Sequence, residues 1–322
     1  MSIENNHDVA KPYDVLVVGE LNIDLILNGI DQFPVIGKEV LSNTMTFTMG
    51  SSSAIFACNL STLGSRVSFA GRIGVDNFGD YIVNTLRTRN VETANITRDK
   101  QEQTGATVVL NFGEDRAMVT HPGAMTRMTV ENITDSMMLQ CRHLHVSSVF
   151  LQTGIKNSIV NLFRRAKALG LTTSLDPQWD PQEKWDLDFN ILLKYVDIFI
   201  PNEAELQAIA KIQELDLAVK ALPFENTLVV KCGSEGAYLW NSSESFFQPS
   251  FRNTKMVDSI GAGDSFDAGF VHSFLQGKPL KKCLEFAALT GAINTTREGG
   301  TGAFESLDTV KKIARSSFNY II

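Results

Sequence analysis

The residues best suited to chemistry lie in one run, Val257-Asp258-Ser259-Ile260-Gly261-Ala262-Gly263-Asp264. Two glycines two apart let a backbone turn tightly and come close to a ligand. The stretch after them, Ser265 to Gln276, carries Phe266, Phe270, Val271 and Phe274 at helical spacing, so the turn feeds a helix N-terminus. Such a terminus leaves N–H groups unpaired and carries partial positive charge, which suits a phosphate or another developing anion. Asp264 sets a carboxylate beside that seat. Spacing alone leaves two readings open: an N-cap, a position Asp favours, or a general base next to an anion hole.

Other candidates are spread along the chain. Asn22 and Asp24 follow Asp14 to Gly19, a β-branched run ending in glycine that reads as a buried strand. Ligands of open α/β sheets bind outside the carboxyl ends of strands, which makes the pair candidates for holding a substrate; an Asx turn is the plainer alternative. Asn202 and Glu205, three apart at the start of a helical pattern, share one face. The carboxylate suits Mg²⁺, directly or through water, and the amide a phosphate oxygen, although a capping box has the same spacing. Lys231, Gly233 and Gly236 form a turn where backbone could approach a nucleotide. His143, His145 and Ser147 alternate on one short strand, but no third ligand is near, which favours a structural or substrate-edge role over a metal site. Neither Gly-x-x-x-x-Gly-Lys-Ser/Thr nor Gly-x-Gly-x-x-Gly is present.

Composition narrows the partners. The 322 residues are 43% hydrophobic and 20% charged, with net charge −7 and no block of consecutive basic residues. That leaves no footprint for nucleic acid or an anionic membrane and points to a small molecule. Cys58, Cys141, Cys232 and Cys283 are far apart with no Cys-x-x-Cys pair, which fits buried thiols in a reducing compartment. Met1 to Asp14 is polar, and no apolar run reaches the ~20 residues of a membrane span. A cytoplasmic protein is expected.

These residues need a scaffold. A helix is expected from Gly50-Ser51-Ser52-Ser53 through Leu63, a strand at Val67 to Ala70, a glycine-punctuated loop over Gly71 to Gly79 and a helix at Tyr81 to Arg89. Thr107 to Phe112 and Ala117 to Thr120 flank a hairpin turn at Gly113 to Asp115. From Ser158 onward strands alternate with helices: strands at Thr172 to Leu175, Asp197 to Ile200 and Thr227 to Lys231, then helices at Asp264 to Gln276 and Leu280 to Thr296. That rhythm predicts an α/β fold with a mostly parallel sheet and helices on both faces. Segments near 22–48 and 105–121 are expected to form a small β lid, an excursion of a single domain spanning 1–322.

In this order the motifs resemble those of the ribokinase-like (pfkB) carbohydrate kinases. The most specific match is Asp258 to Phe270, similar to the family's C-terminal signature almost throughout. Asn22-x-Asp24, Gly71-Arg72-Ile73-Gly74-Val75-Asp76-x-x-Gly79, Asp176-Pro177, Asn202-Glu203-Ala204-Glu205 and Gly233-x-x-Gly236 resemble further family motifs, over residues 14 to 315. The resemblance implies a three-layer αβα fold and an ATP-dependent phosphotransferase acting on a hydroxyl, expected to be primary, of a small sugar or sugar acid of the ribose, fructose or 2-keto-3-deoxygluconate class. It makes Asp264 the base and Gly261, Ala262 and Gly263 the anion hole. Asn22 and Asp24 become sugar contacts, Lys231, Gly233, Gly236 and Asn202 nucleotide contacts, and Glu205 a Mg²⁺ helper. Asp258 and the Ile260 carbonyl resemble part of a site for a monovalent cation such as K⁺, completed by Arg297 to Thr301. A homodimer through the lid is implied as well.

One departure bears on the substrate. Where the family has Gly-Gly-x-x-x-Asn, this chain has Gly50-Ser51-Ser52-Ser53-Ala54-Ile55. Ile55 cannot hydrogen-bond, so a hydroxyl contact is lost or is remade, with Gly50, Ser51 and Ser52 or Ser53 as the candidates. The reaction type is unaffected by the change. A nucleoside kinase of the same family and a non-catalytic sugar- or nucleotide-binding protein are the alternative readings.

Overall fold

In the computed structural model, residues 11–112 and 115–322 are described. The expectations placed on Met1 to Ala10 and on the Gly113–Glu114 turn lie outside them. The strands, in chain order, are β1 (Tyr13–Val18), β2 (Asn22–Asn28), β3 (Thr44–Met49), β4 (Val67–Gly74), β5 (Val91–Glu92), β6 (Ile96–Asp99), β7 (Gly105–Phe112), β8 (Asp115–His121), β9 (Cys141–Ser147), β10 (Thr172–Asp176), β11 (Ile198–Phe199), β12 (Thr227–Lys231), β13 (Gly236–Trp240) and β14 (Ser245–Pro249).

The large sheet runs β14-β13-β12-β11-β10-β9-β1-β4-β5, with β6 also pairing β4. Its pairs are parallel from β12 through to β5, and an antiparallel hairpin, β13 and β14, finishes one edge. Both faces are covered. On β1, Leu16 and Val18 pack into one core with Leu144, Val146 and Phe163, while Val15 and Val17 pack into another with Phe56, Leu60 and Phe69. A strand buried on both sides has no reason to alternate, and so the run is apolar throughout.

A second, smaller sheet, β3-β2-β7-β8, stands apart as the expected lid. It departs from the large sheet just beyond β1, and β2 pairs parallel with β7 from Asn22↔Gly105 to Leu27↔Leu110. The chain differs from expectation in three places. β4 runs on through Gly74 where a loop was expected, because Gly71 to Gly74 find parallel partners in β6. The hairpin of β13 and β14 and the C-terminal helix Leu307–Phe318 were not foreseen. Among the described residues no helix is long and apolar enough to cross a membrane.

The histidines of β9 are structural. His143 and His145 are fully buried and both hydrogen-bond the Ser174 hydroxyl, at 2.7 Å each, and His145 stacks on Phe56 with ring centroids 3.7 Å apart. Burial holds both imidazoles below their usual pKa, His145 at about 3, so they stay neutral and bind no proton in the working range.

The helix that carries Asp264, Ala262–Leu275, packs on Leu280–Asn294 through a close approach at Gly269. A Cβ placed there would lie 2.1 Å from Thr290 Oγ1. Gly269→Ala is expected to lower stability by about 1–3 kcal/mol in urea denaturation. Thr290→Ala in the same chain should recover part of the loss, since it removes the nearest clashing atom.

Candidate active site

The turn at Gly261 demands glycine twice over. Gly261 caps the helix Ala262–Leu275 at φ 75°, and a Cβ on it would lie 2.5 Å from the Gly300 Cα. Asp264 is therefore the third helical residue and makes no cap, which removes the plainer reading of its role. Its side chain is buried and accepts a hydrogen bond from Gln178 Nε2 at 3.1 Å. Burial, with Asp176 nearby, raises its pKa to about 7 against the opposing pull of Lys231 and a hydrogen bond from Ser52. The Ala262 N–H is turned to the Ser259 carbonyl at 3.2 Å, which leaves Gly261 and Gly263 as the N–H groups of the turn best able to meet an anion.

A buried ionic cluster holds this carboxylate. Lys231 Nζ lies 2.8 Å from Asp176 Oδ2 and 3.3 Å from both oxygens of Asp267. Gln178 Nε2 donates to Asp176 Oδ2 at 2.8 Å as well as to Asp264, so one amide nitrogen bridges two carboxylates. Lys231, expected at the nucleotide, does line the cavity described below, but its ammonium is committed to these carboxylates. Asp267, not singled out from the sequence, could have been found by its i,i+3 spacing from Asp264. Gln178 had no such signal, because its position depends on a left-handed backbone (φ 56°) after β10.

Asn22 and Asp24 sit at the root of the lid. Asn22 Nδ2 donates to Asp24 Oδ1 at 2.9 Å and to Thr107 Oγ1 at 3.2 Å. Burial raises the Asp24 pKa to about 6 although the Asn22 hydrogen bond lowers it. Gly50 makes room for both: a Cβ on it would lie 2.2 Å from Asp24 Oδ1 and 2.6 Å from Asn22 Nδ2. The serines divide the tasks expected of them. Ser51, at φ 72° where the family has glycine, accepts from Ala54 N and donates to the Glu20 carbonyl at 2.6 Å, so its hydroxyl caps the helix Ser52–Thr62 and is not free for a sugar. Ser53 is spent on the buried Glu20 carboxylate and Ser147. Ser52, of the three, helps hold down the Asp264 pKa. Ile55 packs its hydrocarbon against Gly261 and Gly300.

Beside the start of the helix Ala262–Leu275, at Ala262 and Gly263, lies a cavity of about 800 Å³. Gly233, Gly236 and Gly263 line it with Phe251, Met256 and Thr295. Its floor holds Asn202 and Glu205, which form the capping box reciprocally: Asn202 N donates to Glu205 Oε2 and Glu205 N to Asn202 Oδ1, both at 2.8 Å. The box uses one oxygen of each side chain and leaves Glu205 Oε1 and Asn202 Nδ2 for other partners. Burial, reinforced by Asp176, raises the Glu205 pKa to about 7. Among the described residues no group of three or more His, Cys, Asp or Glu forms a metal cage. A carboxylate beside a large cavity fits the way Mg²⁺ binds, with water and phosphate oxygens as most of its shell.

A family model described as pfkB family carbohydrate kinase matches residues 13–307. The chain belongs to the pfkB family of carbohydrate kinases. Similar curated pfkB relatives include a 5-dehydro-2-deoxygluconokinase of Geobacillus thermodenitrificans, 25% identical over 95% of this chain and 94% of that one. An ATP-dependent ribose-1-phosphate kinase of Halopiger xanaduensis is 27% identical over 90% and 94%. A 2-dehydro-3-deoxygluconokinase of Bacillus subtilis is 28% identical over 85% and 88%. Among solved structures, Arabidopsis thaliana ribokinase complexed with ribose and ATP superposes with a TM-score of 0.81, covering 93% of this chain and 98% of the other at 24% identity. A ribokinase II described as putative, from E. coli, in complex with ATP and Mg²⁺ gives 0.80 at 23% identity, covering 93% and 98%. The fold is ribokinase-like and the protein is a sugar kinase of this pfkB family.

The raised pKa of Asp264 also bears on stability. Its carboxyl holds a proton to about pH 7 in the folded chain and ionises near 3.8 when unfolded, so stability falls as pH rises through that window. Asp264→Asn is expected to melt higher than the parent at pH 8, by up to about 4 kcal/mol in unfolding free energy. The gap should close as pH falls toward 4, which thermal melts across pH will measure.

Proposed function

We propose that this kinase transfers the γ-phosphoryl group of ATP to a hydroxyl, expected to be primary, of a small sugar or sugar acid. The observation that carries the reading is the place of Asp264: a buried carboxyl with pKa about 7, in the first turn of a helix whose leading residues, Ala262 and Gly263, line a cavity of about 800 Å³. Phosphoryl transfer asks a protein for in-line positioning, a base and charge stabilisation. Asn22 and Asp24 orient the acceptor. Asp264 Oδ takes the hydroxyl proton, and its pKa lies close to where a general base works at neutral pH. Gln178 fixes that carboxylate's direction. Gly261 and Gly263 present N–H groups to the charge that develops on the phosphoryl oxygens. Bound magnesium supplies charge neutralisation at the phosphates, with Glu205 and Asn202 as its helpers from the protein.

The printed names of the relatives support a sugar or sugar-acid acceptor, and the ATP and Mg²⁺ of the E. coli structure support the nucleotide and metal. The whole chain acts as one catalytic unit, in the cytoplasm, where ATP is at hand and its four buried, unpaired thiols stay reduced. Met45, Met118 and Val119 stand exposed on the lid, and a second copy would cover them.

Asp264→Asn is expected to cut turnover by about 10²–10⁴-fold while ATP still binds; full activity in the variant would overturn the base assignment. In the parent, kcat should fall as pH drops through about 7, where Asp264 takes up its proton. ATP consumption measured against pentoses, hexoses, keto-deoxy acids and nucleosides will name the acceptor. Sedimentation at micromolar concentration should give a dimer, and Met118→Lys should shift it toward monomer.

A further inference from the structure

Beneath the anion seat two loops meet, 258–261 and 297–301. Asp258 and the Ile260 carbonyl are the donor set that a monovalent cation would use here, since such an ion is held where several oxygens converge and replace its hydration shell. In this chain those oxygens already have protein donors. Asp258 Oδ1 accepts from the Ile260 N–H at 2.9 Å, and Oδ2 accepts across the gap from the Gly299 N–H at 2.8 Å. The Ile260 carbonyl accepts from Asn294 Nδ2 at 2.6 Å. The carbonyl of Gly300, whose Cα touches the Gly261 turn, accepts from Asn59 Nδ2 at 2.9 Å. The Gly261 carbonyl accepts from the Ser265 hydroxyl at 2.7 Å, and that oxygen accepts in turn from Asn59.

Asn59 and Asn294 are both fully buried, on the helices Ser52–Thr62 and Leu280–Asn294. Their orientation follows from chemistry: each faces a carbonyl oxygen, which only the NH₂ side of an amide can meet. Their Oδ1 atoms have no hydrogen-bond partner. Leaving a buried acceptor unpaired costs about 1–3 kcal/mol, so neither side chain serves stability well by itself. What the pair does is fix the carbonyls of Ile260 and Gly300 on either side of the Gly261 turn. At 2.6 Å the Asn294 nitrogen takes up one of the lone pairs through which the Ile260 oxygen would meet an ion.

We propose that Asn294, together with Asn59, takes the place of a monovalent cation in this kinase, and that the loop bearing Gly261 is positioned without potassium. The residues present do not fit the K⁺ expectation carried by the family resemblance. Asn294 is a positioning residue, acting through the Ile260–Gly261 backbone, and the inference rests on that turn receiving the phosphoryl group.

The test compares KCl with choline chloride at equal ionic strength, reading both turnover and the melting temperature of the unliganded chain. The parent is expected to show less than about a twofold change in rate, and no shift in melting, between the two salts. Asn294→Asp, which keeps the shape but puts an oxygen against the Ile260 carbonyl, and Asn294→Ala, which clears the space, are expected to lose turnover in choline and regain at least about fivefold in potassium. A parent activated fivefold or more by potassium, or melting higher in it, overturns the proposal. So does a pair of variants whose losses are the same in both salts. Should no acceptor be phosphorylated, the reading of function fails on its own, and the melting comparison still decides the cation question.

Discussion

The structure around the site depends on one buried ammonium. Lys231 sits at the end of β12 against Asp176 at the end of β10 and Asp267 on the helix Ala262–Leu275. It ties the sheet to the helix that carries Asp264. Asp176, the nearer partner, has its pKa held down by Lys231 against the cost of burial, while burial pushes that of Asp267 well up. The ammonium's own pKa is raised, chiefly by Asp176 and then Asp267, against a burial that opposes charge. An ion group of this kind contributes little net stability compared with a well-packed apolar core, but removing one member leaves an uncompensated buried charge and costs about 3–5 kcal/mol. Its yield is direction: Asp176 anchors Gln178, and Gln178 anchors Asp264.

From that anchor the two halves of the site follow. Asp264 is desolvated by the same packing that aligns it, which is why a carboxyl at a helix N-terminus has its pKa near 7 when the helix dipole alone would lower it. Asp24 and Glu205 are displaced in the same direction by burial, to about 6 and about 7.

The departures from the family pattern are consistent with one another. Ser51 holds a glycine-like backbone at φ 72° and, with a hydroxyl where glycine has none, caps its helix and clasps the Glu20 carbonyl. Ile55, one turn on, packs against Gly261 and Gly300. Asn59, a further turn along the same helical face, supplies the polar contact to Gly300 and Ser265. One helix thus places Ser52 near Asp264 and sets Ile55 and Asn59 against the loop at Gly300, at the i,i+3 and i,i+4 spacing of a helix face.

The sequence by itself determined whatever depends on neighbours in the chain. The apolar run of β1, the Gly261 turn feeding a helix, the Asn202/Glu205 face and the alternation of strand and helix are local patterns, each with its own period. The lid was legible only roughly, since its strands expose one face and alternate weakly. The tertiary structure decided the partners. Lys231 and Asp176 are 55 residues apart, Gln178 and Asp264 are 86 apart, and Asn59 and Gly300 are 241 apart. No period links such residues, because a hydrogen bond between distant segments is selected by where the sheet and helices bring them. Whether Asp264 was a cap or a buried acid turned on where the helix begins, three residues earlier at Gly261, and on the packing around it, and only the folded chain sets those.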